Sequence, residues 1–260
     1  MNSNNKKAVL VLGARLDSVS YGTASAEIVR RASAREGGYV CAVNVHMVME
    51  GVDDPSFRAL VNRSVLSVPD GMPIVWAMRL LGVQRQTRVY GPFLMRHCLR
   101  RAVDQNLSIG LLGGAPDVLD KLIYNLRKEF STLRIVYNYS PPYRALSFEE
   151  SLGIKTDIAA ASPDILFVGL GCPKQERWMA EHAMSLNTVM IGVGAAFDFY
   201  AGTLEMAPPV LQRFGLEWAF RLAKEPKRLL GRYAKHNPRF MVAFLRQLVS
   251  RKGRAFRRID

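Results

Sequence analysis

Residues 164–178 read Asp164-Ile165-Leu166-Phe167-Val168-Gly169-Leu170-Gly171-Cys172-Pro173-Lys174-Gln175-Glu176-Arg177-Trp178, and the reading of the whole chain turns on them. The apolar run 165–168 reads as a buried strand. Gly169 and Gly171 let the backbone turn tightly, and Pro173 supplies a φ suited to a first helical turn. Lys174, Gln175, Glu176 and Arg177 then continue into a helix start. A strand, a glycine turn and a helix N-terminus bearing cationic and amide side chains suit an anionic, oxygen-rich ligand. The same pattern also describes an ordinary strand-to-helix turn with a solvated polar face, and on this stretch alone that is the simpler reading.

Outward from this stretch, strand and helix patterns alternate. Strands are expected at 8–12, 39–43, 65–68, 108–112, 134–139 and 189–193, with helices at 24–35, 55–62, 74–81, 94–105, 117–130 and 148–161 and from the central turn to about 184. The strands are apolar throughout, which argues for an α/β fold: a Rossmann-like, mostly parallel sheet with helices on both faces. Past Ala201 the character changes. Pro208-Pro209, Glu225-Pro226 and Asn237-Pro238 punctuate what read as short helices rich in Arg and aromatics, with no strand among them. Residues 1–203 are therefore read as the α/β body and 204–260 as a helical, basic C-terminal appendage.

At 260 residues, 49% hydrophobic and 22% charged, the chain is globular and long enough to bury a core. Cys41, Cys98 and Cys172 are widely spaced, without zinc-site spacing, and a reducing cytosol is the simplest home. Residues 1–7 are polar and carry no signal-peptide pattern, and no apolar run approaches the roughly 18–20 residues of a membrane span. Charge is lopsided: residues 221–260 hold 13 Lys or Arg against Glu225 and Asp260, +11 of the formal +14. Such a tail suits an acidic partner, either nucleic acid or the anionic cytoplasmic leaflet of a membrane.

In an open parallel sheet, ligands sit at the carboxyl ends of the strands. Asn44, His46, Asp70, Arg88, Gln175 and Asp198 all fall there by this reading. Asp70, within Pro69-Asp70-Gly71, is the sharpest candidate. A carboxylate there can cap a helix or make the turn, the simpler role, or accept a proton from a sugar hydroxyl as general base. Gly192-Val193-Gly194 is a poor dinucleotide fingerprint, because Phe197 stands in the third glycine's place. Asp53-Asp54 is the only adjacent acidic pair resembling a metal–nucleotide grip, and it reads as surface loop. Cys172 has no histidine placed beside it by sequence and reads as structural.

Taken together, the motifs Val68-Pro69-Asp70-Gly71, Arg88-Val89-Tyr90-Gly91, Leu111-Leu112-Gly113-Gly114, the central turn from Gly169, Gly192-Val193-Gly194-Ala195-Ala196-Phe197-Asp198, Gly215-Leu216-Glu217-Trp218 and the run from Arg221 to Leu229 stand in one order. That series resembles the WecG/TagA/CpsF glycosyltransferases (glycosyltransferase family 26) over roughly residues 39–240. The resemblance implies transfer, with inversion, of a sugar from a UDP-sugar to a polyprenyl-diphosphate-linked saccharide in bacterial exopolysaccharide, capsule or cell-wall glycopolymer synthesis. It implies no metal and no further cofactor. It also implies a peripheral position at the cytoplasmic face of the membrane, reached through the appendage, and leaves a homo-oligomer open. By position, Asp70 matches the proposed catalytic base, Gln175 the sugar-nucleotide pocket, and Asn44 and Arg88 further pocket residues. Arg221 and Arg228 match appendage arginines that help neutralise diphosphate, and Gly114, Gly169, Gly171 and Asp198 complete the substrate-binding set.

Three positions depart from the family pattern: Phe93 in place of an acid, Ala42 in place of a hydroxyl residue, and Met206 in place of an Arg. All three bear on donor or acceptor choice, so no particular sugar is carried over. Two rival classes are weaker. A nucleotide-dependent oxidoreductase needs a complete glycine fingerprint with an acid about 20 positions on. A nucleic-acid binder needs stacking aromatics or a docking motif; the tail offers few, so no nucleic acid is expected.

Overall fold

The computed structural model describes residues 8–250. Six strands form one all-parallel sheet: β3 (Gly38–Val43), β4 (Leu66–Pro69), β5 (Ser108–Gly113), β6 (Arg134–Tyr139), β7 (Ile165–Gly169) and β8 (Val189–Gly192). Their spatial order is β4-β3-β8-β7-β5-β6, and parallel pairing places every carboxyl end on one edge. The helices α1 (Tyr21–Ser33), α5 (Gly91–Asp104), α6 (Pro116–Glu129) and α9 (Ala196–Ala201) cover one face. The opposite face carries α2 (Val45–Asp53), α3 (Pro55–Arg63), α4 (Met72–Leu80), α7 (Phe148–Ala161), α8 (Lys174–His182) and the long α12 (Pro226–Val249). Strand β7 explains the continuous apolar run of the central stretch. Ile165 and Phe167 point into one core and Leu166 and Val168 into the other, all four fully buried. With both faces covered, no position of the strand is left for a polar side chain.

Three elements differ from the sequence reading. The first expected strand, at 8–12, lies outside the parallel sheet. Here β1 (Ala8–Val11) pairs antiparallel with β2 (Ala14–Asp17) through a two-residue turn, Leu12 and Gly13, both at positive φ (50° and 85°). That is the geometry of a tight hairpin turn, hidden in sequence because Leu replaces the usual Asn or Asp. The hairpin is tied to the sheet by Asp17, 3% exposed, whose Oδ2 accepts from the Ser67 N–H at 2.8 Å. Helix α2 was not expected at all. Asn44 creates it by accepting the Met47 N–H at 3.1 Å immediately after β3 ends.

The third difference is in the appendage. After α10 (Pro209–Arg213) and α11 (Glu217–Lys224), the chain forms one 24-residue helix, α12, and Asn237-Pro238 does not end it. An interior proline removes a hydrogen bond and crowds the preceding turn. The burial of Leu229, His236, Phe240 and Phe244 on the body side of the helix offsets that cost. Phe240 and Phe244 stack in parallel, 5.9 Å apart, within the core that also holds α2 and α3. The last part of the basic tail, residues 251–260, lies outside the described residues.

The strand ends meet through glycines. A Cβ at Gly113 (φ 120°) would lie 2.6 Å from the Gly169 carbonyl, so β5 and β7 approach closely here because neither residue carries a side chain. Gly113→Ala is expected to destabilise by roughly 2–4 kcal/mol in urea unfolding. Gly153→Ala, in the exposed middle of α7 with nothing within 4 Å, is expected to stabilise by about 0.5–1 kcal/mol.

Candidate active site

The carboxyl edge of the sheet gathers most of the residues expected there. Asn44 follows β3, Asp70 follows β4, Gly114 follows β5, Gly171 follows β7 and Gly194 follows β8. Asp70 is fixed from three sides. Its N–H donates to the Val43 carbonyl at 2.9 Å, and its Oδ1 accepts from the Gly91 N–H at 3.1 Å, at the start of α5. Arg88 Nε donates to the Asp70 carbonyl oxygen. Burial pushes the Asp70 carboxyl above the ordinary range, while Arg88, the Gly91 N–H and the Asn44 side chain pull it back down and Glu217 raises it. A carboxylate held at a helix N-terminus, with a pKa above the usual carboxylate range, is a stronger base than a solvated aspartate.

Arg88 also reaches the appendage. Its Nη1 donates to Glu217 Oε2, on α11, at 2.6 Å, and both side chains are largely shielded from solvent. The guanidinium lies 3.9 Å from the centre of the Tyr90 ring. Tyr90 in turn packs against Phe93 (5.9 Å) and Phe199 (5.9 Å), and its N–H donates to Tyr21 Oη at 2.9 Å. Phe93, which stands where an acid was expected, is therefore part of an aromatic wall beside Asp70. Glu217 lies inside one of the quoted motifs, yet sequence reasoning gave it no role. Its signal was an acid in an otherwise apolar and basic segment.

A second group stands across Tyr90. Asp198, in α9, carries a carboxyl raised by burial, with Arg228 and Arg221 pulling it back down and Glu225 raising it. Arg228 pairs with Glu225 at 2.7 Å, and Arg221 pairs with the same carboxylate at 3.6 Å. Arg221 lies 5.7 Å over the Phe199 ring, and its buried Nε has no hydrogen-bond partner. Two appendage arginines thus share one internal counter-ion and keep donor capacity for an anion.

Gln175 behaves differently from its neighbours. It is 4% exposed, and both ends of its amide are engaged. Oε1 accepts from the N–H groups of Gly171 and Gly194, each at 3.2 Å, and Nε2 donates to Glu176 Oε1 at 2.7 Å. Gly192 makes room for it, since a Cβ there would lie 2.9 Å from Gln175 Nε2. The glycines of the weak dinucleotide pattern therefore serve this amide, and Phe197, in the third glycine's place, is buried against Gly169 and Gly114. Gly171 and Gly194 have nothing within 4 Å of a built Cβ, so the loops that Gln175 joins face open space.

The remaining candidates have structural partners. Asp53 pairs with Arg239 at 2.9 Å. Asp54 caps α3, accepting from the Ser56 N–H at 2.9 Å, and pairs with Arg177 at 2.6 Å. Burial and the neighbouring Glu176 raise the Cys172 thiol well above its usual range, which removes it as a nucleophile. Ala42 is buried in β3, and Met206 is half-buried before α10.

Comparison with known proteins gives the family. Residues 9–254 match the model of the glycosyl transferase WecG/TagA/CpsF family. Among similar proteins is an N-acetylglucosaminyldiphosphoundecaprenol N-acetyl-beta-D-mannosaminyltransferase of Bacillus spizizenii, 28% identical over 81% of this chain and 80% of its own length. Proteins of the same name from Staphylococcus aureus (29% identical, 78% of each chain) and Bacillus subtilis (27%, covering 83% of this chain and 82% of the other) are also similar.

Glu176, fully buried behind the two glycine loops, is raised to about 7, chiefly by burial. The folded protein therefore binds a proton that the unfolded chain has already lost, and stability falls as pH rises from about 4.5 to 7. Glu176→Gln is expected to remove a fall on the order of 3 kcal/mol across that window, read from urea unfolding at a series of pH values.

Proposed function

The chain belongs to the WecG/TagA/CpsF family of glycosyl transferases, and on that premise we propose that it transfers a hexosamine from a UDP-sugar to a polyprenyl-diphosphate-linked saccharide, with inversion at the anomeric carbon. The relatives' names, which specify N-acetylmannosamine transfer to N-acetylglucosaminyl-diphosphoundecaprenol, support the acceptor class and the type of sugar. The observation that carries the reading is the carboxylate of Asp70, held at the N-terminus of α5 beside Arg88, which itself pairs with Glu217 of the appendage.

In this mechanism Asp70 removes the proton from the acceptor hydroxyl as that oxygen attacks the anomeric carbon from the side opposite the departing UDP. Asn44, which caps α2 and interacts with the Asp70 carboxylate, keeps that carboxylate oriented. The negative charge that develops on the leaving diphosphate needs cations and N–H donors. Arg221 and Arg228 supply cations from the appendage, and the bare glycine loops, whose Gly171 and Gly194 N–H groups are taken by Gln175, leave room for the diphosphate beside them. Metal-independent departure of UDP is part of the proposal.

The acceptor's lipid sets the location. No helix among the described residues is long and apolar enough to cross a membrane. The appendage instead exposes Phe214 (65%), Leu216 (43%), Trp218 (42%) and Leu230 (59%) among its basic residues. The turn at Gly215 lies over Trp76 of α4, itself 44% exposed, so the apolar surface continues onto the body. Aromatic and aliphatic groups with surrounding cations suit the surface of an anionic leaflet. On this reading the protein works at the cytoplasmic face of the membrane.

The test is a turnover assay with a UDP-N-acetylhexosamine panel and a short-chain polyprenyl-diphosphate-N-acetylglucosamine acceptor. Wild type should form a disaccharide product with one donor, with or without EDTA. Asp70→Asn should lower kcat by roughly 10²–10⁴-fold while calorimetric UDP affinity stays within a few-fold. Unchanged turnover in Asp70→Asn would remove the base role, and absence of product with every UDP-sugar would remove the donor class.

A further inference from the structure

Away from Asp70, the contact between α2 and α12 holds an unusual group of side chains. His46 and Glu50 stand one turn apart on α2, and His236 faces them from α12. His46 Nδ1 lies 3.7 Å from Glu50 Oε1, and His236 Nε2 lies 3.6 Å from the same oxygen. One ligand atom from each residue falls within 4.8 Å of the other two. The imidazole rings are 4.9 Å apart and tilted by 56°.

The two histidine–carboxylate separations are too long for hydrogen bonds and close to those of atoms gathered around one ion. Two nitrogen or oxygen ligands at about 2.0–2.2 Å from a tetrahedral zinc lie about 3.4 Å from each other. His46 Nδ1 is buried with no hydrogen-bond partner, an arrangement that is costly without a ligand. His46 also interacts with the backbone at Cys172, the kind of anchor that orients a metal-binding imidazole.

The geometry points to a site for one divalent transition metal of the zinc class, held by His46, Glu50 and His236, that fastens the appendage helix α12 to α2. Two imidazoles and one carboxylate are a donor set that zinc accepts, with water in the fourth position. The neighbouring cations are partly balanced. Asp53 pairs with Arg239 and lies 3.8 Å from Lys235, while Arg232 and Lys235 bear directly on His46. Such a metal is structural and takes no part in the departure of UDP. Its ligands come from opposite ends of the sequence, which is why no metal spacing is visible there.

The test uses untagged, metal-stripped protein of full length and Co²⁺ as a visible probe. Wild type should bind one equivalent with d–d absorption of a four-coordinate site, lose that absorption to Zn²⁺, and gain melting temperature with Zn²⁺ in an EDTA-reversible way. His236→Gln and Glu50→Gln should each weaken Co²⁺ binding by more than tenfold. Glu50 is 28% exposed, so its substitution is expected to leave the apo melting temperature within a few degrees, and its loss of Co²⁺ then reads the site. His97→Gln, at an exposed histidine on α5, should bind like wild type. No stoichiometric Co²⁺ band in wild type would overturn the proposal, as would wild-type affinity in both Glu50→Gln and His236→Gln or loss of the band in His97→Gln.

Discussion

A guanidinium can leave water only where its charge and its donors are met. Arg88 meets this condition with groups from two places in the chain: the Asp70 carbonyl from the end of β4 and the Glu217 carboxylate from α11. One side chain thereby holds both the loop that carries the candidate base and helix α11 of the appendage. If the appendage departs, Arg88 loses its counter-ion and Glu217 loses its own, so the body and the appendage share the cost of separation. That shared cost gives the candidate base a defined electrostatic setting, in which Arg88 favours the Asp70 carboxylate and Glu217 opposes it.

The glycine loops show a second constraint. Loops without side chains leave space beside the backbone, yet bare loops need something to hold them. Gln175 supplies it with a single carboxamide: one oxygen serves Gly171 and Gly194, and its nitrogen rests on Glu176. The arrangement stiffens the loops from behind and leaves their outer side open. A buried carboxyl group is part of the mounting, which explains why an acid is tolerated in so apolar a place.

Much of this was legible in the sequence, for physical reasons that differ by element. The parallel sheet was visible because strands covered on both faces must be apolar at every position, as in residues 165–168. Asp70 stood out because a carboxylate beside proline and glycine at a strand end has few roles. The hairpin was hidden because Leu12 adopts positive φ under tertiary constraint instead of by propensity. Helix α2 was hidden because it follows β3 directly and opens on the β-branched Val45, and only the Asn44 side chain turns the chain into a helix. Pro238 misled because a local rule for helix breaking lost to the packing of Phe240 and Phe244. The role of Gln175 was out of reach: an amide that joins two loops looks in sequence like an amide that faces a ligand. Glu217 was equally obscure, since its partner lies in a distant segment.

The N-terminal hairpin and the end of α12 are joined by one residue. Gln247 accepts from the Leu12 N–H at 2.8 Å and donates to the Leu10 carbonyl at 2.7 Å. Exposed strand edges invite pairing with other chains. A chain made from its amino end therefore presents β1 to the cell long before the residue that covers it has been synthesised. Strand β1 is thus made well before its edge can be finished, and until then that edge is open to the wrong neighbour.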